Sequence, residues 1–144
     1  MASLVGNDEK LRTEKPLRLH GIWRALGIGL IATILTLSLM PMPVDAELPE
    51  NGDKLGHFLM YGSLMFWFGV IYSAWRRQLA LALAFCAMGI GVEFLQDLTP
   101  YRSFEVADMA ANSVGVLIGW GVAFTPLRHC LAWTENRMLR NGET

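Results

Sequence analysis

The charged residues of this chain are gathered into short segments, and the stretches between them are long enough to decide the fold class. Residues 25–44 (20 residues), 78–92 (15) and 109–127 (19) carry no charged side chain, and residues 55–75 (21) carry only the imidazole of His57. A helix rises about 1.5 Å per residue and a bilayer's hydrocarbon core is about 30 Å thick, so roughly 20 predominantly apolar residues cross it. Three runs meet that length directly, and the short run at 78–92 does so when Glu93 and Gln96 are included, as 78–96. The expected fold is all-α: an integral membrane four-helix bundle with helices at about 23–40, 55–75, 78–96 and 106–125. A soluble four-helix bundle would need a charged outer stripe on every helix, which none of these runs supplies.

Composition narrows the function classes. The 144 residues are 53% hydrophobic and 17% charged, against about 25% charged in an average soluble domain. Twelve Lys and Arg against 13 Asp and Glu give a net charge of -1, which excludes a strongly basic nucleic-acid binder, and two cysteines exclude a disulfide scaffold or a cysteine-built zinc site. The placement of charge carries more than its sum. Ten basic residues fall before helix 1, between helices 2 and 3, or after helix 4, while only Lys54 and Arg102 fall in the other two connections. The positive-inside rule then puts both termini in the cytoplasm. The inner side totals +5 and the outer side -6.

The organisation follows: residues 1–22 a polar cytoplasmic tail, 23–125 the transmembrane domain, and 126–144 a cytoplasmic tail with an interfacial helix whose face carries Leu127, Leu131 and Met138. The short Trp75-Arg76-Arg77 link predicts an antiparallel hairpin of helices 2 and 3, in contact along its length. Ser103 is the expected N-cap of helix 4. Val44-Asp45-Ala46 has the small-x-small form of a signal cleavage site, but the segment before it is too long for an ordinary signal peptide.

With this topology the membrane's costliest residues collect at one leaflet. Asp53, Lys54, His57 and Tyr61 open helix 2 from the outer side, Glu93 and Gln96 close helix 3 there, and Asp108 and Asn112 open helix 4, with Arg102 in the connection. Asp53, His57 and Tyr61 follow an i, i+4, i+8 line within about 80° of arc. Asp108 and Asn112 share a face with Ala111, Gly115 and Gly119, a small-xxx-small run that permits close helix approach. Polar groups on the packing face point into the bundle, away from lipid, where each charge would cost about 2.5–3.5 kcal/mol or more.

The segments D53-K-L-G-H57-F-L-M-Y61, E93-F-L-Q96 and R102-S-F-E-V-A-D108-M-A-A-N112-S-V-G115, with Gly119, resemble the VanZ-like family of small bacterial membrane proteins. The resemblance covers about residues 53–119, the last three helices. It implies a multi-pass protein of the bacterial cytoplasmic (inner) membrane, concerned with the cell envelope. The family takes its name from an accessory protein of a glycopeptide-resistance cluster associated with teicoplanin resistance, so a glycopeptide-related ligand or a lipid-linked cell-envelope precursor joins membrane lipids among the expected partners.

Several chemistries fit the outer cluster. As an enzyme, His57 would be a general base oriented by Glu93 or Asp108, the three forming the catalytic set. Lys54 and Arg102 would hold a phosphate, and Asp53, Tyr61, Gln96 and Asn112 would position a polar headgroup. A metal variant places a divalent ion on His57, Glu93 and Asp108, without an HExxH motif and without a second suitable histidine. The same residues would serve equally to bind a headgroup without chemistry. As interhelical glue, Asp53 would cap helix 2, Arg102 would pair with Glu93 or Asp97, and Asn112 would bond across helices. The residues name no cofactor and no oligomeric state.

Overall fold

The computed structural model describes residues 17–41 and 52–141. Its helices are α1 (His20–Leu39), α2 (Gly52–Ile71), α3 (Trp75–Asp97), α4 (Val106–Val122) and α5 (Cys130–Asn141), with a 3-10 turn (Pro126–His129) before α5 and no strand among the described residues. The cleavage-like segment 44–46, most of the first connection and residues 1–16 of the tail lie outside the described residues.

Helix ends follow local chemistry. α2 stops at Ile71 because Gln78, one turn into α3, donates from Nε2 to the carbonyls of Gly69 (2.9 Å) and Tyr72 (2.7 Å), taking up acceptors that the helix leaves unpaired. Beyond α4, Pro126 has no N–H to continue a helix. Thr125 Oγ1 accepts from the Leu127 N–H at 3.3 Å, and the chain bends by 75° between α4 and the segment Pro126–Asn141. Of the three residues expected on one face of the last helix, Leu131 is buried whereas Leu127 and Met138 are exposed.

α1 and α3 are each long and apolar enough to cross a membrane; α4 and the segment after it count as a third span only if the bent pair is taken as one. α2 carries Asp53, Lys54 and His57 in its first two turns. The surface is inverted relative to a water-soluble domain. Ile28, Leu83 and Leu117 lie about three-fifths exposed on α1, α3 and α4, while His57, Glu93, Gln96, Asp108 and Asn112 are buried. Apolar area spread over several helices marks a surface that meets lipid or another apolar partner.

α2 is the central helix, and its tightest partner is α4. The expected α2–α3 hairpin in contact along its length is therefore corrected: α3 packs less closely on α2 than α4 does. The reason is glycine. A Cβ added at Gly115 would meet the Phe58 carbonyl oxygen, and one added at Gly119 would meet that of Gly62. Side-chain-free positions let the two backbones touch, which no residue of the Trp75-Arg76-Arg77 link can enforce. Around this pair Ile34, Tyr61, Leu64, Met65, Phe68, Phe85 and Val116 form the core. A smaller cluster of Trp23, Ile71 and Leu131 closes the opposite end, where α1, α2 and α5 meet.

Candidate functional site

The α2–α4 contact sets the site's geometry, because it brings the first turns of both helices side by side. His57 Nε2 lies 3.5 Å from Asp108 Oδ2, with both side chains at least nine-tenths buried. Lys54 Nζ sits among three carboxylates: Glu105 Oε2 at 2.9 Å, Asp53 Oδ2 at 3.3 Å and Asp108 Oδ1 at 3.8 Å. Glu93 arrives from α3, and its Oε1 accepts from the Glu105 backbone N–H at 2.6 Å. Asn112 is accommodated because α3 offers Gly89 opposite it; a Cβ there would lie 3.0 Å from Asn112 Nδ2.

What this arrangement leaves unmade is more informative than what it makes. His57 Nδ1, Tyr61 Oη, Glu93 Oε2, Asp108 Oδ1 and both amide atoms of Asn112 are buried without a hydrogen-bond partner. A buried polar atom without a partner costs about 1–3 kcal/mol, and native interiors contain few. Ser38 Oγ, at the end of α1, is also without a partner; the other six atoms gather on three adjacent helices, at the same end of each.

The expected site residues thus divide. Asp53, Lys54, His57, Glu93, Asp108 and Asn112 come together, and Tyr61 is fully buried one helical turn below His57. Gln96 turns instead toward α1, donating from Nε2 to the Ser38 carbonyl at 2.7 Å, and so works as a strut between α3 and α1. Arg102 is half-buried, its charge acts on Glu93, and it makes no ion pair among the described residues. Lys54, expected to hold phosphate, is already enclosed by carboxylates. Counting Asp53, Glu93, Glu105 and Asp108 against Lys54 and Arg102, the centre has two more acidic than basic side chains.

The carboxylates whose ligand atoms converge within 4.8 Å are Asp53, Glu105 and Asp108, rather than the set of His57, Glu93 and Asp108 expected for a divalent ion. Lys54 holds the position a cation would take there. Ser103 is exposed and the N-cap position of α4 belongs to Glu105, which makes no side-chain cap; the Glu93 carboxylate fixes the chain's entry into α4 by holding the Glu105 N–H.

Glu105 is the site residue that the sequence reading passed over, although it lies one turn before Asp108 in the same segment. A second omission lies at the opposite end. Glu135 of α5 is 4% exposed, and its carboxylate accepts from the N–H groups of Arg18 (2.8 Å) and Leu19 (2.7 Å) and from Trp23 Nε1 (2.7 Å). Burial works to raise its pKa, but these three hydrogen bonds and the charge of Arg18 outweigh it and hold the carboxyl below the usual glutamate range. It caps α1 from another helix, where α1 has no capping side chain of its own.

The profile described as VanZ/LLP1 matches residues 12–128, which takes in the first four helices and every residue of the polar centre. The chain belongs to the VanZ/LLP1 family. It is also similar to an uncharacterized protein, C11E3.10, of the fission yeast Schizosaccharomyces pombe, with 28% identity over 100 residues. That match covers 64% of this chain and 57% of the yeast protein, so the chain spans little more than half the length of its relative. No solved structure matches the chain. Membership in the VanZ/LLP1 family accords with the buried polar centre on α2, α3 and α4, whose motifs carried the resemblance.

Proposed function

We propose that this VanZ/LLP1 chain is a multi-pass protein of the cytoplasmic membrane, with four spans, both termini inside, and a polar centre at the outer leaflet that binds the headgroup of a lipid-linked cell-envelope precursor. The observation that carries this reading is the set of buried, unpartnered polar atoms on His57, Tyr61, Glu93, Asp108 and Asn112. They include both donors and acceptors, which suits hydroxyl and amine groups. The excess of acidic over basic groups favours a neutral, hydroxyl-rich or amine-bearing headgroup over one read through phosphate alone, and leaves Arg102 as the cation for any phosphate at its edge. The positive-inside asymmetry and the exposed apolar faces support the four-span topology. A protein that sequesters such a precursor would change its access to glycopeptides, the link to teicoplanin resistance that the family name suggests.

A second reading rests on one contact. His57 Nε2 faces Asp108 while Nδ1 is unused, the arrangement of an oriented general base. In that reading Nδ1 takes the proton of a water as its oxygen bonds to the headgroup phosphorus, Asp108 stabilises the imidazolium formed, and that proton passes to the alcohol oxygen that leaves as the P–O ester bond breaks.

The test is to incubate the purified chain in nanodiscs with envelope lipid extract and analyse bound and free lipids by mass spectrometry. We expect a lipid to be retained, and His57→Ala, Glu93→Gln and Asp108→Asn each to lose it while expression and thermal stability stay near wild type. Loss of expression in all three variants would mean that the cluster is interhelical glue. A retained but chemically unchanged lipid decides for binding, and a converted one for the general-base reading.

A further inference from the structure

Away from the polar centre, α1, the end of α2 and the start of α3 enclose an open cleft of about 430 Å³ lined by His20, Arg24, Tyr72, Arg77, Ala80 and Leu81. We propose that this cleft is a binding site for the phosphate of an anionic membrane phospholipid, separate from the polar centre. The inference rests on the reading that α1 and α3 span the membrane, since that puts the cleft at an interface where headgroups lie.

Two guanidinium groups line one cavity, and neither Arg24 nor Arg77 forms an ion pair among the described residues. Arg77 instead lies over the Tyr72 ring at 5.8 Å, and His20 meets the same ring edge-on at 5.8 Å. The Tyr72 ring thus contacts both the guanidinium and the imidazole of the cleft lining. Like charges are normally kept apart, so two unpaired arginines facing one cavity point to an anion between them. The start of α3 adds to this. A helix N-terminus favours acidic side chains, yet the first turn of α3 has none and no capping side chain; it carries Arg76 and Arg77. The end of a helix that attracts anions is left open and ringed with cations.

The rest of the lining selects a lipid over a free ion. Ala80 and Leu81 continue the cleft along α3 into its apolar stretch, as an acyl chain below a phosphate requires. The planar, bidentate guanidinium suits phosphate oxygens. The basic cleft of α5, lined by Trp133, Arg137 and Arg140, makes a useful contrast: Arg137 lies over the Trp133 ring, but no membrane-length apolar helix lines it.

The test uses the full chain in detergent with phosphatidylglycerol and phosphatidylcholine of matched acyl chains, scored by native mass spectrometry. Wild type should retain phosphatidylglycerol in preference to phosphatidylcholine. The double variant Arg24→Gln/Arg77→Gln should lower that retention about thirtyfold, the worth of two interfacial charges. Arg24→Lys/Arg77→Lys, which keeps the charge but loses the bidentate fork, should lose part of it, and Arg137→Gln/Arg140→Gln none. Equal retention of the two lipids by wild type, or undiminished phosphatidylglycerol on the Gln variant, would overturn the proposal. Should the Gln variant not fold, protection of wild-type Arg24 and Arg77 from phenylglyoxal decides. Phosphatidylglycerol must protect them and phosphatidylcholine must not; equal protection by inorganic phosphate would mean an anion site without lipid selectivity.

Discussion

Each end of this molecule buries a glutamate, and the two are treated in opposite ways. Glu135 has both carboxylate oxygens in use, with three donors from the start of α1 converging on it. Glu93 at the other end is fully buried and uses only Oε1, leaving Oε2 without a partner beside similarly unpartnered atoms of His57, Tyr61, Asp108 and Asn112. A buried charge whose valences are all used is a joint between helices. A buried cluster with hydrogen-bonding valences left over is what the proposed headgroup would fill, because folding alone gives little return for desolvating atoms that then make no hydrogen bond. Burial by itself would have grouped these residues together; the accounting of hydrogen bonds separates them.

The comparison depends on the backbone contact that aligns α2 with α4, so the largest effect is expected from breaking it. Gly119→Val would drive a branched side chain against the Gly62 carbonyl and force the helices apart. We expect about 3 kcal/mol of destabilisation by thermal unfolding in detergent, with loss of lipid retention at the polar centre as His57 moves from Asp108. Near wild-type stability would mean that the glycine contact does not set the site.

Next comes the satisfied end. Glu135→Gln keeps the shape, removes the charge and turns an amide toward N–H donors, at a cost of about 2 kcal/mol, while the folded fraction should retain lipid at the polar centre as wild type does. The same carboxylate predicts an acid dependence of known sign. Its pKa is lower folded than its unfolded value of 4.5, so its contribution is complete above that pH and is lost as pH falls through the folded pKa. Acid titration of stability should show this loss in wild type, and the Gln variant should lack that component. An unaltered titration in the variant would assign the effect to other carboxylates.

What was legible in the sequence is what depends on short-range order. Charge segregation marked four helices to within a few residues of α1–α4, and the spacing of Asp53, His57 and Tyr61 put them on one face of α2. The small-residue run on α4 announced a close contact but not its partner, because α2 contributes the single glycine Gly62 at the crossing. The bonds made by Gln78, Gln96 and Glu135 were not legible for a common reason: each reaches backbone of another element, and a backbone carbonyl or N–H leaves no mark in the sequence. Glu135 and Arg18 are 117 positions apart, and Gln96 and Ser38 are 58 apart. Lys54, expected to hold a phosphate, lies among Asp53, Glu105 and Asp108, and no short-range pattern shows that these three would share one ammonium.

The smallest expected change in stability is also the sharpest discriminator between the two ends. Tyr61 is completely buried, yet its hydroxyl has no partner, so Tyr61→Phe removes a desolvated polar atom and no bond. Deleting an unsatisfied group is close to neutral or stabilising by up to about 1 kcal/mol, whereas deleting a hydroxyl that bonds within the protein costs about 1 kcal/mol. We therefore expect the melting temperature of Tyr61→Phe to equal or exceed that of wild type while lipid retention falls. A melting temperature lowered by that amount, with retention unchanged, would show that the hydroxyl is bonded internally. In that case the polar centre would be a closed joint like the one around Glu135, and the contrast between the two ends would fail.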